Sequence, residues 1–353
     1  MSHRQNPIKL LSIGVCIANF AGFNTAEAAL FTETGSIASV GGINEIIYAP
    51  NYNFLITRNS GSAVKAFDLS DNSRKTWLSQ SSITDLDLSP SGRFVYAADY
   101  GGENIGYGTP ASQHYVYRFD LGTKTVQAKT TDQVAGHIEA ISDNQFVLSS
   151  LDQWITLTAN TWGSASNTQT NAVSGWTFYR GDIEYDANSH RILYGDSGSS
   201  SQEVGAVTLT SAGFKVVDSS GLYGSAQNHG GSVVLSTDGS SLYYGDLQVD
   251  ALDVSHNQRV FPEIIYAATS HFAFGANHFY DAVTGAELGS LGFSTSVFGL
   301  NPNGDDFWAF DSSSNALRHF DIAAVPLPGG FVLFNSALLG LAWLNRRNSR
   351  ASL

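Results

Sequence analysis

Cysteine occurs once in 353 residues, at Cys16, and methionine once, at the start. A disulfide framework, a thiolate zinc site and a Cys–His nucleophile are therefore excluded for everything downstream of residue 16. Charged side chains make up only 14% of the chain, and basic ones are outnumbered 18 to 31, for a net charge of −13. Such a surface repels nucleic acid and anionic membranes, which disfavours a phosphate-binding role. Five of the basic residues and one acidic residue fall in the two ends of the chain, which leaves 13 basic and 30 acidic residues between them, a net charge near −17. The nine histidines contain no H-x-x-x-H or H-E-x-x-H pair, and there is no G-x-S-x-G elbow. Gly35, Gly41 and Gly42 lack the strand–helix setting of a nucleotide-binding fingerprint. Helical periodicity is missing from residues 30 to 322. Glycine, serine, threonine and aromatic residues abound there instead, which suits short strands joined by tight turns.

The two ends differ from this polar middle. Arg4 and Lys9 precede an apolar stretch from Leu10 to Phe23, and Ala26-Glu27-Ala28 follows. A charged segment, an apolar core and an A-x-A site form the layout of a secretory signal peptide, residues 1–28, removed by Sec-type export with cleavage after Ala28. At the other end Ala323 to Leu344 carries no charge. Pro326 and Pro328 cannot sit inside a regular helix. The expected helix therefore starts near Gly329, just long enough to span a membrane, with Arg346, Arg347 and Arg350 as a positive-inside stop.

Val325-Pro326-Leu327-Pro328-Gly329, the apolar run Phe331 to Leu344 and Arg346-Arg347 together resemble the PEP-CTERM sorting signal of Gram-negative bacteria. Leu327 stands where the eponymous motif has glutamate. The resemblance covers residues 323–353. It implies recognition by an exosortase, a membrane-embedded cysteine protease, with transient anchoring in the inner membrane and then release to the cell surface or extracellular matrix. Bearers of the signal tend to come from organisms that make exopolysaccharide. Exopolysaccharide or another envelope protein is thus the implied partner.

Between the ends, residues 29–322 repeat. "LDLSPSGRFVYAAD" (Leu86 to Asp99) reads as strand, polar turn and strand. "VVLSTDGSSLYYGD" from Val233 and "FGLNPNGDDFWAFD" from Phe298 repeat it, and weaker copies start at Ile46, Glu139, Ile183 and Ile264. Aligned on the last residue before each turn, the seven hairpins fall at Tyr48, Leu88, Ile141, Tyr185, Leu235, Tyr266 and Leu300, six steps of about 42 residues. A second landmark, apolar–Asp–apolar, recurs at Asp68, Asp120, Asp253, Asp281 and Asp321. A period near 42 with up to four short strands per unit is that of a β-propeller blade, so the expected fold is an all-β, seven-bladed propeller. The Ser89-Pro90-Ser91-Gly92 turn resembles that of the YVTN and WD-type propeller superfamilies.

In a propeller the first strand of each blade faces the central channel. Three residues before the aligned landmarks lie Glu45, Asp85, Asp182 and Glu263, a candidate channel ring, with Asp87 and Glu184 two residues further on. Carboxylates so placed either hold a hard divalent cation or accept hydrogen bonds from loop amides. His137 and His229 precede inner strands. Trp77, Trp154, Trp162, Trp176 and Trp308 either stack on sugars or fill blade interfaces. No cofactor is expected beyond that cation. The expected role is binding or structural, within an exported matrix or surface protein. A lactonase-, lyase- or hydrolase-like enzyme acting at the channel mouth is the alternative.

Overall fold

The computed structural model describes residues 30–61, 63–79, 82–101, 114–131, 135–149, 157–163, 181–196, 203–221 and 232–322. The signal-peptide segment, the sorting motif, His229, Trp154 and Trp176 lie outside the described residues. Among the described residues no helix is long and apolar enough to cross a membrane.

The described chain from Phe31 is built of antiparallel sheets in chain order, and its one helical element is a single 3₁₀ turn at Pro50–Tyr52. The first blade pairs Ile43–Ala49, Phe54–Asn59, Val64–Asp68 and Ser73–Leu78. The second pairs Ile83–Leu88, Phe94–Asp99, His114–Asp120 and Thr125–Thr131. The third shows His137–Ala140, Gln145–Ser149 and Thr158–Thr161 among the described residues. Four-stranded sheets beginning at Gly181–Asp186, Val233–Leu235 and Ile265–Ala268 form the fourth, fifth and sixth blades. The seventh combines Phe298–Leu300, Asp306–Asp311 and Ala316–Ile322 with the N-terminal strand Phe31–Ala38 on its outer edge. Each inner strand packs against those of the blades before and after it, and the seventh packs on the first, so the ring is closed. Seven blades form one β-propeller.

The physical reason lies in the second strand of each blade, which is covered on both faces. Strands buried on both faces lose the apolar–polar alternation and read as continuous apolar runs. Phe94–Asp99 and Phe272–Gly275 are buried at every position. Fourth strands such as Ser73–Leu78 and Thr125–Thr131 are largely exposed and polar. Apolar clusters fill the gaps between blades. Phe54, Ile56, Leu86 and Val95 join the first to the second, and Tyr96, Ile138 and Phe146 join the second to the third. Ring closure uses the N-terminal strand, where Phe31 stands among Phe272, Phe274, Phe279 and Phe307 with centroids 4.4 to 5.6 Å away. Edge-to-face contacts of this kind add about 0.5–1.5 kcal/mol each beyond burial. Joining the two chain ends in one sheet also covers the edge that Ala316–Ile322 would otherwise present.

The turns follow the residues that form them. Gly92, Gly239 and Gly304 hold the same left-handed turn position, with φ of +73°, +72° and +71°, which a side chain would strain. Asp68, Asp120 and Asp281 end third strands and accept amide hydrogen bonds from the turn two residues on. Asp253 lies past the end of its blade's third strand, and Asp321 lies within one, so this landmark has more than one structural meaning.

Candidate functional site

The inner strand of every blade is a sheet edge, and its outward N–H groups face the axis with no strand to accept them. In the second to fifth blades a carboxylate from the preceding blade supplies the acceptor. Glu45 Oε1 accepts the amide of Leu86 at 3.1 Å, Asp85 Oδ2 that of Ile138 at 2.8 Å, and Asp182 Oδ2 that of Val233 at 3.1 Å. One level further along, Asp87 Oδ2 accepts the amide of Ala140 at 2.6 Å and Glu139 Oε2 that of Tyr185 at 2.9 Å. The channel carboxylates therefore bond one blade to the next.

Of the four ring residues expected from sequence, Glu45, Asp85 and Asp182 share this level and Glu263 does not. Glu263 precedes its inner strand and binds its own blade instead, accepting from the amides of Asn277 and His278 and from the Tyr280 hydroxyl at 2.9 to 3.1 Å. The reason is turn length. The second hairpin closes from Ser89 to Phe94, the third from Ile141 to Gln145 and the sixth from Thr269 to Phe272. The third turn is one residue shorter and the sixth two, and the landmark falls one residue past the end of the third inner strand and two residues before the end of the sixth. Corrected for the slip, His137 takes the ring position of the third blade and Glu139 joins Asp87 and Glu184. The alternation of side chains along a strand makes a one-residue slip exchange the two faces, which is why Glu139 was missed.

Six carboxylates thus converge from four blades, with Arg58 and His137 as their cationic neighbours. Arg58 Nε meets Glu45 Oε2 at 2.7 Å, and His137 Nδ1 lies 3.1 Å from Asp182 and 3.7 Å from Asp85. Burial pushes Glu45 up to about 8, with Asp85 adding repulsion and Arg58 opposing. Burial likewise pushes Asp87 up to about 8 and Asp182 up to about 6, the latter against the attraction of His137. Glu139 and Glu184 are raised well above the usual carboxylate range by burial and by the carboxylates around them. Burial lowers His137, but Asp182, Asp85 and Glu45 outweigh it and raise the imidazole to about 9. Inner strands of the fifth to seventh blades (Val233–Leu235, Ile265–Ala268, Phe298–Leu300) carry no ionisable carboxylate or base, so the channel is acidic on one side only.

At the turn end the channel opens into a cavity of about 450 Å³. Ile47, Tyr48, Leu88, Tyr185, Leu235 and Leu300 form an apolar collar, and Glu184 is the one carboxylate in its lining. The described tryptophans are used in packing: Trp77 stacks on Phe119, Trp162 lies against Tyr96, and Trp308 stacks on His319.

No family model matches the chain, and no curated protein sequence matches it. Solved structures do. The β-propeller domain of Myceliophteria thermophila Cps50 (Swd1) aligns with a TM-score of 0.62 at 14% identity, covering 83% of this chain and 100% of that one. A chain of a mitotic checkpoint complex aligns with a TM-score of 0.60 at 10% identity, covering 91% of this chain and 100% of that one. The shared property is the fold. At these identities the likeness is to the propeller fold alone.

The staples make a specific demand on Asp85. Asp85→Ala leaves the buried amide of Ile138 without an acceptor and should cost about 1–3 kcal/mol. Asp85→Asn keeps a carbonyl oxygen there and removes one charge from a crowded site, so it should be near neutral. Urea denaturation of both variants checks this, and equal losses would contradict it.

Proposed function

We propose that the chain is an exported binding protein of the cell surface or extracellular matrix, whose channel mouth receives a positively charged group of its partner. The observation that carries this reading is the imbalance of ionisable groups in the channel: six carboxylates, most of them held back from ionising by burial and mutual repulsion, face only Arg58 and His137 beneath an apolar collar. A lysine or arginine side chain of a basic envelope protein suits that chemistry. Its methylene stem lies along Ile47, Tyr48, Leu88 and Leu235, and its charged head reaches Glu184. Inside a low-dielectric mouth such an attraction is stronger than on the open surface. The guest also offsets the mutual repulsion of the carboxylates, so binding and charging of the site favour each other.

The ends of the sequence support export. Residues 1–28 serve as a signal peptide for Sec-type machinery. Residues 323–353 serve as a sorting tail in which Val325 to Gly329 is read by an exosortase, a short helix anchors the chain briefly, and Arg346 and Arg347 stay inside. The prolines hold the motif extended, where a protease can engage it. Exopolysaccharide-rich envelope is the setting this implies.

Two experiments test the two halves of the reading. The purified full chain should bind a fluorescent lysine-rich peptide more weakly as salt rises, and Glu184→Gln should weaken binding about tenfold, equivalent to about 1.4 kcal/mol. Equal binding of a glutamate-rich peptide, or no effect of the substitution, would contradict the channel role. For export, the mass of the protein recovered outside cells of an exosortase-bearing host should lack Phe331 to Leu344; recovery with that segment intact would refute processing.

A further inference from the structure

The closing blade carries a second polar cluster, away from the carboxylate ring. Its strands set Asp306 directly opposite Asp321 and Trp308 opposite His319. Residues two apart on a strand share a face, so Asp306, His319 and Asp321 project together. That face is turned towards the first blade, where Trp308 packs with Ile43, Ile46 and Leu55, and Tyr48 donates to Asp306 Oδ2 at 3.3 Å. One ligand atom from each of the three residues lies within 4.8 Å of the other two.

Three further observations bear on what this cluster holds. His319 Nε2 stands 3.1 Å from Asp306 Oδ2; ligand atoms about 2.0–2.1 Å from a tetrahedral zinc ion are about 3.3 Å apart, so little movement would admit one. Asp306 Oδ1 is buried with no hydrogen-bond partner, although a buried carboxylate oxygen costs free energy unless something positive or protic meets it. Third, the imidazole is held in the way metal ligands are held. The pairing of Phe31–Ala38 with Ala316–Ile322 shifts register between Glu33 and Gly35, which leaves Thr34 as the extra residue of a bulge. Bulges re-aim side chains, and Thr34 Oγ1 meets His319 Nδ1 at 2.7 Å. An Nδ1–H donated to that oxygen leaves the Nε2 lone pair facing Asp306. Trp308 stacks on the ring, centroids 4.7 Å apart, and fixes its plane.

We propose that Asp306, His319 and Asp321 bind one divalent cation of the zinc class, with Thr34 as the residue that orients His319. One imidazole and two carboxylates are a borderline donor set that suits zinc, and water completes the shell. The ion would tie the second and third strands of the closing blade together. Through Thr34 it would also engage the N-terminal strand, at the one place where both ends of the propeller meet. The site is independent of the channel reading, since none of its residues lines the cavity or belongs to the carboxylate ring.

The purified full chain, stripped with a chelator, is titrated with zinc chloride by calorimetry and then with cobalt chloride by visible absorption. One equivalent should bind, the melting temperature should rise with zinc concentration, and cobalt should show tetrahedral d–d bands. Asp321→Asn, at an exposed position that tolerates the change, should abolish that equivalent and the bands without altering the metal-free melting temperature. Thr34→Val should weaken zinc about 10–100-fold, a change that a merely structural threonine would not produce. Failure to bind one equivalent of zinc, or affinity unchanged in both variants, overturns the proposal.

Discussion

Everything in this propeller depends on how its innermost strands are satisfied. Seven sheets arranged radially place seven edges around one axis, and an edge strand presents amides that need acceptors. Blades two to five meet that need with side chains of the blade before, so Glu45, Asp85, Asp87, Glu139 and Asp182 each accept a main-chain hydrogen bond across an inter-blade gap. The same residues that align the blades thereby crowd negative charge into one half of the channel. Structure and electrostatics cannot be separated there: taking a carboxylate away relieves repulsion but orphans an amide.

That coupling makes the channel responsive to a cation. Arg58 and His137 offset part of the charge from within, and His137 is held protonated by Asp182 and Asp85. Glu184 accepts none of these inter-blade bonds and lines the mouth, so it is the carboxylate best placed to meet a guest. On the opposite side Leu235 and Leu300 of the fifth and seventh blades line the mouth, a surface that holds methylene groups rather than charge.

Much of the architecture was legible in the sequence because strand pairs covered on both faces leave long apolar runs, and "RFVYAAD" or "SLYYGD" can hardly be read otherwise. The number of blades followed from their spacing. What was not legible was register. The inner strands of the third and sixth blades end at Ala140 and Ala268, one residue before Ile141 and two after Tyr266, and this slip hides Glu139 while promoting Glu263. The apolar–Asp–apolar landmark failed in a related way: Asp68 and Asp120 close turns, whereas Asp321 sits inside a strand opposite Asp306, and no local pattern separates the two. The cluster of Thr34, Asp306, His319 and Asp321 had no sequence signal at all, since Thr34 lies more than 270 residues from the others and arrives by ring closure and a bulge.

The channel of the first four blades is crowded with buried carboxylates whose ionisation opposes the fold. A carboxylate raised in the native state costs stability as pH climbs from its unfolded value to its native one, and His137, raised to about 9, contributes stability that is full below its unfolded value and lost as pH climbs through about 9. Both act in the same direction between about 6.5, the unfolded imidazole value, and about 8, where Glu45 and Asp87 titrate. The most direct measurement is the melting temperature of the full chain and of Glu184→Gln across that range. The account predicts that the variant is the more stable by about 2 °C or more at the alkaline end and that the gap closes as the pH falls. A gap that is absent, or that stays constant at every pH, would contradict it.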